Sequence, residues 1–261
     1  MKPKPSGLLT IAHLTLHEAR RRRVLLAALL CGLAFLAVFG VMMFLVDRDL
    51  TRAAEPLVRR QLTLSLLTIA GLFATNFLSV LLAVLLPIDT LSGEIDSGVM
   101  QTLASKPIAR RQIVLGKWLA HALIASGYLL FVAGGVLLAG RLAAGHAQLN
   151  VQRALPLMVL EVVLLVTVSI AGGTRLSTVT NGIAALGFYG VAFIGGWVEQ
   201  IGGIAGVRSA QTAGTIASLI SPPDSLWRRA AWELQPPLAR DLGASPFTPA
   251  SVPSALAVWW A

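Results

Sequence analysis

RRRRVLLAALLCGLAFLAVFGVMMFLVDRD, residues 20–49, is the stretch on which the fold turns. No charged side chain interrupts it from Val24 to Val46. A helix that crosses lipid needs about 20 predominantly apolar residues, because its backbone polar groups have only one another to bond. The arginines ahead of the run superficially resemble the basic region of a secretory leader. A leader's apolar core is only about 7 to 15 residues long and ends at a small-residue cleavage site. The run therefore reads as a retained first span.

Outward from it, four more segments meet the same test: Leu62 to Ile88, Trp118 to Gly140, Ala154 to Gly173 and Val179 to Val198. A sixth apolar stretch begins near Val252 and reaches only Ala261, with Trp259 and Trp260 suited to an interface. The sequence is expected to stop inside a sixth span. The fold class predicted is all-α, a polytopic transmembrane helical bundle forming a single domain over 1–261. Its parts are an N-terminal helix region (1–23), spans one to five (24–198) with a polar loop between the second and third (89–117), a long segment (199–251), and the start of span six (252–261).

Composition agrees. Of 261 residues, 56% are hydrophobic and 13% charged, where a soluble domain carries about 25% charged, and the mean hydropathy is +0.75. The net charge of +9 sits at the ends of apolar runs and not in a groove with stacking aromatics, which points to a membrane surface and away from nucleic acid. Cys31 is the single cysteine, so neither an intramolecular disulfide nor a cysteine metal cluster forms.

Arg20 to Arg23 abut the first span, which places the N-terminus in the cytoplasm of a multi-pass plasma (inner) membrane protein. Alternation then sets 89–117 and the turn at Arg175 inside and 199–251 outside. The first external loop is mixed, with Arg48, Arg52, Arg59 and Arg60 against Asp47, Asp49 and Glu55. Projected as a helix, Leu8 to Arg21 gathers Leu8, Leu9, Ile11, Ala12, Leu16 and Ala19 on one face and His13, His17, Arg20 and Arg21 opposite, with Leu14 the exception. It is expected to lie in the headgroup plane, the alternative being burial of the same stripe against protein. Between Ile201 and Pro237 the segment is apolar enough for short helices that pack on the bundle. The prolines from Pro236 onward break any long one.

Residues 91–119, LSGEIDSGVMQTLASKPIARRQIVLGKWL, are too polar to stay in lipid although two apolar spans flank them. Gly93 and Gly98 permit a break, Val99 to Ala104 suit a short helix, and Pro107 forces a turn. A new helix starts near Ala109, setting Arg110, Arg111 and Lys117 at the membrane edge, where they can snorkel. With Glu94, Gly98, Leu103, Pro107, Arg110, Gly116 and Lys117 in this order, the segment resembles the ABC-2 family of ABC transporter permeases, including its NosY-type subgroup. The N-terminal helix, the order of spans and Ser221-Pro222-Pro223-Asp224-Ser225-Leu226 carry the likeness over most of the chain.

The resemblance implies a six-span, type V exporter-like permease subunit. Its short helix, with Val99 on it, would dock on a cytosolic ATPase subunit that holds the ATP and magnesium. It also implies a second permease copy as partner, lipid around both, and no cofactor or catalytic residue in this chain. The residues accord with that: Gly116-Lys117 is followed by Trp118 and lacks the upstream glycine of a phosphate-binding loop. His13, His17, His121 and His146 form no metal motif, and no nucleophile elbow is present. Polar groups at depth remain as candidates for a transport path. They are Glu161 in span four, Asn76 in span two and Asn181 in span five, the two amides being equally suited to interhelical hydrogen bonds. Gly182, Gly187, Gly190, Gly195 and Gly196 make span five a close-packing surface fit for a dimer interface. Two other classes compete: an ion-coupled secondary transporter with Glu161 as proton site, and a membrane-embedded enzyme, which lacks a convergent His, Asp or Cys constellation.

Overall fold

The computed structural model describes residues 7–96, 98, 109–220 and 222–237. Among them the secondary structure is helical throughout. The helices are α1 (Gly7–Ala19), α2 (Arg23–Arg52), α3 (Leu57–Leu85), α4 (Ser92–Asp96), α5 (Arg110–Ala144), α6 (Val151–Gly172), α7 (Thr178–Ala205), α8 (Arg208–Ile220) and α9 (Pro222–Leu234). Five of these, α2, α3, α5, α6 and α7, are long and apolar enough to cross a membrane, in the places the hydropathy marks. They overrun the apolar windows, since a helix continues into water as long as its residues favour it. The second stops short of Ile88 because Pro87 cannot continue it.

The chain divides into two compact units. One comprises Met1–Leu30, Ser79–Tyr128 and Val162–Gly187; the other comprises Cys31–Leu78, Leu129–Glu161 and Phe188–Ala261. In the first, α1 lies on α5 at Gly116, where an added Cβ would meet the Ile11 Cβ and the Leu8 carbonyl oxygen at 2.8 Å. The inward stripe of α1 is Ile11, Ala12, Thr15 and Ala19, so the helix does bury one face against protein. Leu9, expected on that face, is exposed together with Leu14. Thr15 takes the inward place because its hydroxyl donates to the Ile11 carbonyl at 3.0 Å and carries no unmet polarity into the contact. The start of α2 is held to α5 by the Tyr128 hydroxyl, which donates to the Ala28 carbonyl at 3.0 Å.

In the second unit an aromatic cluster forms the centre. Phe73 of α3 stacks on Phe193 of α7 at 5.9 Å and meets Trp227 of α9 at 5.5 Å. The expected short helices after span five are thus α8 and α9, with Leu226, Trp227, Ala230, Ala231 and Leu234 buried. Asn150 Nδ2 and Gln148 Nε2 donate to the carbonyls of Glu233 and Leu234, fixing the end of α9 to the turn before α6. By contrast α2 buries only 11% of its apolar window, against 61% for α3.

Candidate functional site

Where α3 ends, the chain turns through Leu86 to Leu91 and re-forms as α4. Thr90, Leu91 and Ser92 are buried, so this polar turn is built into the protein. With α4, its bonds reach three other parts of the same unit. From the α1–α2 junction, Arg22 pairs with Asp89 and with Glu18, the latter at 2.7 Å. Burial opposes the charge on Arg22, and the two carboxylates more than offset that, holding its pKa above the ordinary value.

From α5, Lys117 pairs with Glu94 and donates to the Thr90 carbonyl at 3.3 Å. One turn on, His121 Nδ1 donates to the Lys117 carbonyl at 2.8 Å, which leaves Nε2 for the Thr90 hydroxyl at 3.2 Å. Just ahead of the turn, Ser169 of α6 donates to the carbonyl of Val84 in α3 at 3.0 Å. From α7, Asn181 Nδ2 donates to the carbonyls of Ile88 (3.2 Å) and Ser169 (2.8 Å), and Thr178 meets Ser92 at 2.9 Å.

This corrects one expectation. Lys117 does not snorkel with Arg110 and Arg111, both of which are exposed at the start of α5. It lies about 10 Å further along the helix at 1.5 Å per residue, and its ammonium is buried because Glu94 neutralises it there. Gly98 has φ +75°, a left-handed backbone that a side chain would strain, and open space beside its Cα. Val99, Leu103 and Pro107, with the expected helix Val99 to Ala104, lie outside the described residues, as do 252–261.

The second unit holds two polar clusters. Glu161, midway along α6, accepts a hydrogen bond from Asn76 Nδ2 at 3.1 Å, and Tyr189 of α7 interacts with both. All three are buried. Asn181 is bonded elsewhere, to the turn after α3. The other cluster joins α7 to α9: Arg228, fully buried, donates to Glu199 at 2.7 Å and pairs with Asp224. Burial pushes the Asp224 carboxyl above its ordinary pKa, against the pull of Arg228.

The family model described as ABC-2 family transporter protein matches residues 9–223. The chain belongs to the ABC-2 family. No curated protein matches it. As an ABC-2 protein it is a membrane component of an ABC transporter, and the matched range takes in both the turn after α3 and the Asn76–Glu161 pair. Sequence reading of this ABC-2 chain gave no site role to Arg22, Asp89, His121, Tyr189 or the Glu199–Asp224–Arg228 cluster. The i,i+4 spacing of Asp224 and Arg228 was the one local signal available for the last. Among the described residues no group of three or more His, Cys, Asp or Glu side chains is placed to hold a metal.

Proposed function

We propose that this chain is the permease subunit of an ABC transporter whose ATP and magnesium are bound by a separate cytosolic subunit, and that this subunit docks on the segment 89–117. The observation that supports the reading is the bonding of the turn after α3, together with α4, to the α1–α2 junction, α5 and α7. A segment tied to so many elements cannot be displaced without moving them. ATP-driven closure of a partner against Gly98, Val99, Leu103 and Pro107 would thus be delivered to several spans at once. In this reading Glu94, Gly116 and Lys117 are the stiff root of the lever, Arg110 and Arg111 hold its far end at the headgroups, and the N-terminus is cytoplasmic.

A second permease copy would complete the transporter. The outer face of α7 suits it, because Ile183 and Ile194 are exposed and an added Cβ at Gly187 or Gly190 would meet nothing, so another helix can approach closely. The path would be lined from spans two, four and five, for which Asn76, Glu161 and Asn181 are the polar candidates.

The test is a Gly98→Trp substitution. It adds bulk and a strained φ at the proposed contact but touches no packed neighbour, so membrane insertion should be normal. The expected outcome is at least a tenfold loss of ATPase co-purification or of coupled transport, the effect of about 1.4 kcal/mol or more. Unchanged association together with unchanged transport would place the docking surface elsewhere.

A further inference from the structure

Glu161 has no exposed surface and lies near the middle of a span. The groups that face it are Asn76 from α3, Tyr189 from α7 and Asp224 from α9. None of these is a cation, and among the described residues no lysine or arginine pairs with it. Asp224 is a second acid, paired in its turn with Arg228. Phe193 packs beside Tyr189, Phe73 and Phe77 pack on Phe193, and none of these rings supplies charge. An ionised carboxylate shut away from bulk solvent in such a place has no counter-ion to repay its desolvation.

The hydrogen-bond pattern points the same way. With Asn76 Nδ2 bonded to Glu161 Oε1, the two remaining atoms of this amide–carboxyl pair, Glu161 Oε2 and Asn76 Oδ1, are both buried without a hydrogen-bond partner. If the carboxyl is ionised, both are acceptors, and the Tyr189 hydroxyl, which faces the pair, has a single hydrogen and can satisfy only one of them. A single hydrogen on Oε2 turns that atom into a donor for Oδ1. The acid and the primary amide then close as a cyclic pair with both hydrogen bonds made.

We infer that Glu161 and Asn76 form a one-proton binding site inside the permease, the proton residing on Glu161 Oε2 and shared with Asn76 Oδ1. The inference concerns a ligand, the proton, and does not depend on the docking surface or on the course of the transported substrate. Release breaks the Oε2–H bond and sends the proton to water, leaving a carboxylate. The hydrogen bond to Oδ1 is then replaced by repulsion between two oxygens, which favours separation of α3 from α6. The site thereby links proton release to opening of these spans.

Infrared difference spectroscopy on the full chain in lipid nanodiscs tests this. At neutral pH the wild type minus Glu161→Gln spectrum should contain the carbonyl stretch of a protonated carboxylic acid. Asn76→Leu should keep that band and shift it to higher frequency, since the carbonyl loses the Nδ2–H donor. Glutamine retains a donor and an acceptor for Asn76, so Glu161→Gln is expected to fold. If it does not, wild type against Asn76→Leu with isotope-labelled glutamate gives the same readout. Carboxylate bands alone for Glu161 at neutral pH, or a band that Asn76→Leu leaves unshifted, would overturn the proposal.

Discussion

Lys117 shows how far one partner can move a side chain from its usual place. A lysine near a span end ordinarily reaches for the headgroups, yet here its ammonium is turned inward onto Glu94 and the Thr90 carbonyl. Replacing it with methionine fills much of the same volume and takes the ammonium away from the Glu94 carboxylate. Lys117→Met should therefore lower stability by about 3 kcal/mol, the cost of breaking a buried pair. Pairing it with Glu94→Gln should restore most of the loss, as a thermal melt of detergent-purified protein would report. A single variant that melts with the wild type would mean that the pair carries no structural load. Sequence reading named both residues but not their partnership. Residues 95–116 separate them in the chain, and spacing across a loop does not fix which side chains meet. The same holds for Asn76 and Glu161, each legible alone as a polar group at depth, whose pairing depends on how α3 and α6 pack.

At the scale of elements, the seat of α1 depends on the missing side chain at Gly116. Ile11 and the backbone at Leu8 occupy the space a Cβ would take. A Gly116→Leu substitution should lift α1 from α5 at a cost of about 1 to 3 kcal/mol, the range for overpacking. Trypsin cleavage in the Arg20–Arg23 segment should become several-fold faster while the spans stay inserted, and an unchanged cleavage rate would show that α1 is held elsewhere. The existence of α1 was plain from its periodicity, and its inward stripe nearly so. What periodicity misplaced was Leu9, and what it left out was Thr15, because a reading by hydropathy overlooks a hydroxyl that the helix itself satisfies. The five spans were legible for the opposite reason: nothing but a helix satisfies an apolar backbone in lipid, so length and composition suffice. Their ends were not, since helix termini are set by local caps, and at the end of α3 by Pro87.

For the whole molecule, the long-range ion pairs were the least legible part. Glu199 and Arg228 come from different helices and meet only because α9 folds back on α7, an outcome of tertiary packing that no local pattern announces. α2 makes the contrast. Leu26, Leu30, Leu33, Val38, Val41 and Phe44 all point away from the protein, and Gly32, Phe39 and Met43 are its buried residues. An element that owes so little to its neighbours is folded by the bilayer, which makes it fit for biogenesis ahead of its fellows. It can leave the translocon and take up its final helical form while the ribosome is still making the rest. Residues 1–52 synthesised alone should accordingly integrate into microsomes as completely as they do in the full chain, measured by resistance to alkaline extraction. Loss of integration in that fragment would show that later spans are needed to retain the first one.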